Sequence, residues 1–200
     1  MLFNSLPYLA FLPLVFCLYW LLNRGVQLRW QNLLLLVASY VFYGWWDVRF
    51  LALIAFSTLI DFAIGRQIAS NCKDHRRARW WLLLSLLTNL SLLGYFKYAN
   101  FFIESWVNVW AKLGVDMDIS TMNIILPVGI SFYTFQTLSY TIDIYRGKLK
   151  PTNDLIAFAT FVAFFPQLVA GPIERARDLL PQITRRRRFD ADFAASGLRL

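Results

Sequence analysis

The sequence predicts an all-α, polytopic membrane protein with about five transmembrane helices, a re-entrant or broken segment and an interfacial helix. Three observations carry this. Of 200 residues, 58% are hydrophobic and 18% aromatic, and mean hydropathy is +0.48. Apolar runs of roughly bilayer length recur along the chain, and most Lys and Arg fall between them. The stretch 126–146, LPVGISFYTFQTLSYTIDIYR, is long enough to cross yet carries a polar stripe, as a helix inside a bundle does. The net charge of +8 is therefore read as orienting helices and favouring anionic lipid headgroups; no nucleic-acid partner is expected.

The first span is expected at 3–22. It lacks a basic leading segment and a small-residue cleavage site, so it reads as a retained helix with its N-terminus outside, followed by Arg24 and Arg29. Spans at 32–46 and 50–65 follow, divided by the turn Asp47-Val48-Arg49. The pairs Trp45-Trp46 and Trp80-Trp81 fall at segment ends, where amphipathic rings prefer the headgroup level. The loop 66–79, RQIASNCKDHRRAR, has a clear excess of Lys and Arg over its single Asp, which places it in the cytoplasm. A fourth span is expected at 80–96.

Residues 97–114 are amphipathic. Phe102, Trp106, Val109, Trp110 and Leu113 share one helical face, and Asn100, Glu104, Asn108 and Lys112 another, which suits a helix lying in the interface. The acidic loop 114–122 then leads to a fifth span at 124–145, and the basic loop 146–150 reads as cytoplasmic. A full crossing by 155–170 would leave Arg175, Arg177 and 185–188 outside, against the positive-inside rule. Pro166, Gly171 and Pro172 instead favour a broken or re-entrant segment that returns to the cytoplasmic side.

Helical spacing sorts 126–146 into three faces. Tyr133, Gln136, Tyr140 and Asp143 form a polar stripe, Thr134, Thr137 and Thr141 a small-polar face, and Phe132, Phe135, Leu138, Ile142 and Tyr145 a largely apolar one. The stripe either lines a cavity or bonds neighbouring helices. Asp61, in LIDFAIG, reads as structurally paired near a helix end. Cys17 lies in an apolar run and Cys72 in a basic loop, with no disulfide expected, and no Cys/His cluster argues for a metal.

The pair LPVGISFYTFQTLSYTIDIYRGKL (126–149) and FVAFFPQLVAGPIERARDLLPQI (161–183) resembles the membrane-bound O-acyltransferase family. So do the opening 20 residues and NLSLLGYFKYANFF (89–102), closest to its bacterial polysaccharide branch, the alginate O-acetyltransferase membrane proteins. The resemblance implies a multi-pass protein of the plasma (inner) membrane that takes an acyl group from a cytoplasmic thioester donor, acetyl-CoA or another. It implies passage through a helical funnel to an exported polysaccharide, usually with a periplasmic acetyltransferase partner. Candidate path-lining residues are Tyr133, Gln136, Tyr140, Asp143, Pro166, Gln167, Gly171 and Arg175; no catalytic residue and no metal site is assigned.

The family's essential histidine lies in an apolar helix beyond the matched region. The sole histidine here, His75, sits in a basic loop and reads as solvated. The chain is therefore expected to be the N-terminal part of a longer enzyme and inactive alone. The alternatives are a transporter or flippase component, since broken helices with buried polar residues serve transport too, and a non-catalytic scaffold of a polysaccharide-modifying complex.

Overall fold

The computed structural model describes residues 5–22, 27–112, 125–171, 174–187, 189–190, 192 and 195–197. Expectations on residues 3–4, Arg24, 113–124, Pro172, Ile173 and Arg188 lie outside them. The described residues are helical, with no strand. Helix α1 is Leu6–Leu22, α2 Leu28–Gly44, α3 Leu51–Ser70, α4 His75–Lys112, α5 Ile130–Tyr145, α6 Leu155–Ala163, α7 Phe165–Ala170 and α8 Ala176–Thr184. A 3₁₀ turn, Val48–Phe50, leads into α3. Two helical stretches, Val48–Ser70 and His75–Lys112, are long and apolar enough to cross a membrane; Leu6–Leu22 and Leu155–Leu168 are shorter apolar ones.

Local chemistry fixes the element ends. Asp47 caps the 3₁₀ turn, its carboxylate accepting from the Arg49 backbone and guanidinium, and these bonds hold its carboxyl below the usual range. Asp74 accepts from the backbone N–H groups of Arg76 and Arg77 at the start of α4. Helix α5 begins after Gly129, whose φ of 78° is left-handed and whose added Cβ would sit 2.6 Å from the Leu168 carbonyl oxygen. It ends in a Schellman motif: Lys148 N–H donates to the Asp143 carbonyl, Gly147 N–H to that of Ile144, and Gly147 adopts φ 70°.

Helix boundaries depart from expectation in several places: α2 begins at Leu28, not 32, α4 at His75, not 80, and α5 at Ile130, not 124. Helix α3 continues through Arg66 and Gln67 to Ser70, where the Asn71 side chain bonds the Gln67 carbonyl. The separate interfacial helix expected at 97–114 does not exist as such: 97–112 continues α4 unbroken. Neither proline nor a glycine pair interrupts 75–112, and the single Gly94 costs only about 1 kcal/mol of propensity. At 1.5 Å per residue α4 is about 57 Å long, well beyond hydrocarbon thickness. Phe102, Trp106 and Val109 are exposed along its outer half.

The segment 155–170 is broken, at Phe164. Pro166 requires it, since an uninterrupted helix would drive the proline ring into the carbonyl four residues back. The Phe165 N–H left over donates to Ser39 Oγ on α2. Thr160 bonds the Asn32 carbonyl lower on α2, and Leu168 reaches Gly129 at the head of α5. The chain then turns back: Ala176 N–H bonds Ser139 midway along α5, and Asn32 Nδ2 bonds the Ile183 carbonyl. Helix α8 thus returns to the level at which α6 began, and Arg187 packs on Tyr19 and Asn32 there.

The core joins α2, α3, α5, α6 and α8 through Tyr43, Ile54, Tyr140, Phe158, Phe161 and Leu180. Outside it lies an apolar shell with Leu6, 82% exposed, and Leu9, Leu14, Leu87 and Phe101. Soluble monomers rarely expose apolar patches beyond a few hundred Å², so this shell suits lipid. Where α3 meets α5, a Cβ on Gly65 would lie 2.5 Å from Tyr140 Cε1, whereas one on Gly94 meets nothing within 4 Å. Gly65→Ala is expected to destabilise by about 1–3 kcal/mol through overpacking, and Gly94→Ala to stabilise by about 0.5–1 kcal/mol. Thermal midpoints of the two variants in one detergent check this; equal shifts would contradict the close α3–α5 approach.

Candidate functional site

Helix α5 is the pivot of the polar interior, and its two polar faces have different neighbours. The small-polar face meets α3 and α4. Asp61 lies in the middle of α3 with no exposed surface, not near a helix end as expected, though it is paired. Ser85 Oγ donates to Asp61 Oδ1 at 2.6 Å and Asn89 Nδ2 to Oδ2 at 2.7 Å. Asn89 Oδ1 accepts from Ser57 Oγ at 2.9 Å and Thr137 Oγ1 at 3.2 Å, and Thr141 lies 3.1 Å from Ser85 Oγ. Three helices are tied by one cluster of short side chains.

The stripe Tyr133, Gln136, Tyr140 and Asp143 is buried throughout, with Tyr140 set between Gly65 of α3 and Phe158 of α6 and Gln136 meeting α7. The Tyr140 ring stacks on Phe158 with centroids 4.4 Å apart, and its hydroxyl accepts from Thr152 N–H. Tyr133 is buried in the core that also holds Tyr43, whose hydroxyl donates to the Val128 carbonyl. Gln136 Nε2 donates to Gln167 Oε1 across the α5–α7 contact at 2.6 Å. Two buried oxygens on this face lack a partner: Gln136 Oε1 and Asp143 Oδ2.

Of the remaining candidates, Gly171 packs against Gln167, with an added Cβ only 2.8 Å from its Cα. Pro166 opens α7 and lines an apolar cavity of about 380 Å³ with Leu12, Phe16, Trp20 and Leu179. Arg175 is exposed just before α8. The fold therefore gathers Gln136, Gln167 and Gly171 at one place, sets Tyr133 and Tyr140 into the core on either side, and leaves Arg175 outside. His75 is the exposed first residue of α4. Cys17 and Cys72 are free and exposed.

The sequence reading missed Ser57, Ser85 and Asn89. A signal was present: Ser57 with Asp61 and Ser85 with Asn89 are each four apart in apolar runs, so each pair shares a helical face. Chemically the site offers hydroxyl and amide hydrogen-bonding groups together with the carboxyl groups of Asp61 and Asp143. Among the described residues no three His, Cys, Asp or Glu side chains gather as metal ligands.

The chain is similar to known polysaccharide-acetylating proteins. It is 46% identical over 187 residues to the "probable alginate O-acetylase AlgI" of Pseudomonas aeruginosa, covering 93% of this chain and 35% of that protein. The protein of the same name from Azotobacter vinelandii is also 46% identical, with 36% of its length covered. The "peptidoglycan O-acetyltransferase" of Helicobacter pylori is 32% identical over 91% of this chain and 38% of its own length. The chain thus spans about a third of these relatives' length, and the likeness to O-acetylating proteins extends over more than nine-tenths of the chain. No family profile matches the chain, and no solved structure matches it.

The Asn89 cluster should act as glue. Asn89→Leu removes four hydrogen bonds. At about 0.6 kcal/mol for each intramembrane bond the loss is expected to be roughly 2 kcal/mol. Thr137→Val should cost less. Unfolding in mixed micelles at graded denaturing-detergent fraction measures both; an unshifted Asn89→Leu midpoint would show the cluster idle.

Proposed function

We propose that this chain is part of a membrane O-acetyltransferase that acetylates an exported polysaccharide. The observation that carries the reading is its likeness to O-acetylating proteins over more than nine-tenths of its length. The proposed donor is a cytoplasmic thioester, acetyl-CoA or another acyl carrier, and the proposed acceptor a glycan hydroxyl beyond the plasma (inner) membrane. A periplasmic acetyltransferase is the proposed partner. The relatives reported above are named for O-acetylation, which puts the acyltransferase reading ahead of the transport one.

The reaction makes an ester at the acceptor oxygen and releases the donor thiol, and it needs a base to take the hydroxyl proton. No described residue suits that role. Tyrosine phenols are poor bases at neutral pH, and His75 is exposed at a basic loop. We assign proton transfer to residues outside this chain and give α5 and α7 a positioning task. Gln136 Oε1, buried without a partner on the side chain that bonds Gln167 of α7, supplies a free acceptor for a donor group of the substrate or its carrier. Breaks in intramembrane helices are where substrates meet backbone and side-chain dipoles.

Orientation follows from charge. The Arg66 end of α3 and the Arg146 end of α5 lie at one level, since Gly65 abuts Tyr140 and Ile144. Helix α8 returns towards the start of α2. The bases at the ends of α3 and α5 and just after α8, Arg66, Arg146 and Arg187, thus share one end of the bundle, which we take as cytoplasmic, with α6 entering and α8 leaving by that face and the N-terminus outside.

In cells whose polysaccharide is acetylated by this protein, Gln136→Leu is expected to cut ester content at least tenfold with near-normal abundance. His75→Ala should leave ester content within twofold of wild type. Ester assay and immunoblot on the same cells decide. Abundance falling in step with ester content would make Gln136 packing alone, and loss on His75→Ala would return that histidine to the mechanism.

A further inference from the structure

The acyl-transfer reading makes no use of Asp61. Its side chain is fully buried, its side-chain partners are Ser85 and Asn89, and no ion pair reaches it among the described residues. A bare carboxylate in such a place is opposed by desolvation, and two neutral donors compensate only partly. Around it, α4 offers Ser85 and Asn89, α5 offers Thr137 and Thr141, and α6 contains no ionisable residue. The titratable group within electrostatic reach is Tyr140 on α5; Arg66, further along α3, acts on Tyr140 and packs over the Phe62 ring at 5.8 Å. The pair Asp47 and Arg49, at the far end of α3, is closed on itself.

We propose that the Asp61 cluster is a proton-binding site, in which Asp61 carries its proton at neutral pH and a hydroxyl relay of Ser85 and Thr141 accommodates both protonation states. The hydrogen bonds allow this without moving a heavy atom. In the anionic state, Thr141 donates to Ser85 Oγ and Ser85 donates to Asp61 Oδ1. In the neutral state one proton from water is bound to Oδ1, and the relay reverses. Asp61 Oδ1 then donates to Ser85, Ser85 to Thr141, and Thr141 to the Leu138 carbonyl at 3.2 Å or that of Thr137 at 3.4 Å. Either atom of the Ser85–Thr141 pair can be the donor, which is the condition for reversal. Asn89 Nδ2 keeps its bond to Oδ2 in both states. One proton is taken up, one charge is neutralised, and every member of the relay stays bonded.

A monovalent cation is the rival occupant, since hydroxyl and carboxylate oxygens also suit sodium. The Asn89 amide argues against it, because its N–H groups point at Asp61 Oδ2 and the Ser85 carbonyl, where they would meet the ion. The site is independent of the acyl-transfer reading, and its failure would leave that reading untouched.

The test is infrared spectroscopy of the intact protein in lipid nanodiscs, with ¹³C-aspartate labelling to isolate aspartate carbonyls. A protonated-carboxyl band is expected at neutral pH, lost in Asp61→Asn and shifted in Ser85→Ala or Thr141→Val, the shift serving if Asp61→Asn does not fold. Asp61→Asn should keep nearly the wild-type thermal midpoint, because its C=O and one N–H replace the neutral acid's acceptor and donor, leaving only the second N–H to place. A carboxylate signature for Asp61 from neutral pH downwards would overturn the proposal. So would a neutral-acid band abolished by sodium but not potassium at fixed pH, which would assign a cation instead.

Discussion

The constraint on which this structure rests is that hydrocarbon supplies no hydrogen bonds, so each polar group taken into the bundle must be met there. The Asp61–Ser85–Asn89 cluster meets it with side chains from α3, α4 and α5 at once. None of these helices holds the cluster alone. Separating any one would expose an aspartate, an asparagine or a pair of threonines to lipid, and this fixes their relative depth and rotation more sharply than Leu and Phe contacts can. Apolar side chains slide; a carboxyl bonded to a serine and an asparagine does not.

The same constraint explains the form of 155–184. Pro166 takes one backbone bond out of the helix and the turn at Phe164 frees the Phe165 N–H, which Ser39 then accepts. Gly129 lets α7 approach until the Leu168 carbonyl lies where a Cβ would be. With both arms docked, α8 can return along α5 and α2. What remains unmatched is informative. Most of the buried polar atoms are satisfied, yet Gln136 Oε1 and Asp143 Oδ2 are not. Both belong to the Tyr133, Gln136, Tyr140 and Asp143 stripe, so the unmet bonding capacity lies on one face of α5.

Much of this was legible in the sequence, and the reasons for the rest are specific. The broken character of 155–170 was readable because proline chemistry is local. The three faces of α5 were readable because spacing of three and four is sufficient, and Tyr133, Gln136, Tyr140 and Asp143 are buried together as that spacing requires. Which face meets which helix was not readable, because the partners Asp61 and Asn89 lie tens of residues away. The continuity of α4 was hidden by composition. Residues 97–112 mix aromatic and polar side chains like an interfacial helix, but nothing in them stops a helix that is already propagating.

Division of labour between the two polar faces of α5 follows from their chemistry. Threonines pack closely, bond their own preceding carbonyls and cost little to bury, so Thr137 and Thr141 make a face that other helices can lie against. Glutamine and tyrosine reach further and carry more bonding capacity than one neighbour uses, so the stripe they form has capacity left for something else. A helix with one face committed to its neighbours and the other partly unspent is held in place with bonding capacity to spare. Gln136, bonded to Gln167 on α7, stands by the α6–α7 segment, whose backbone is not wholly occupied by its own ladder.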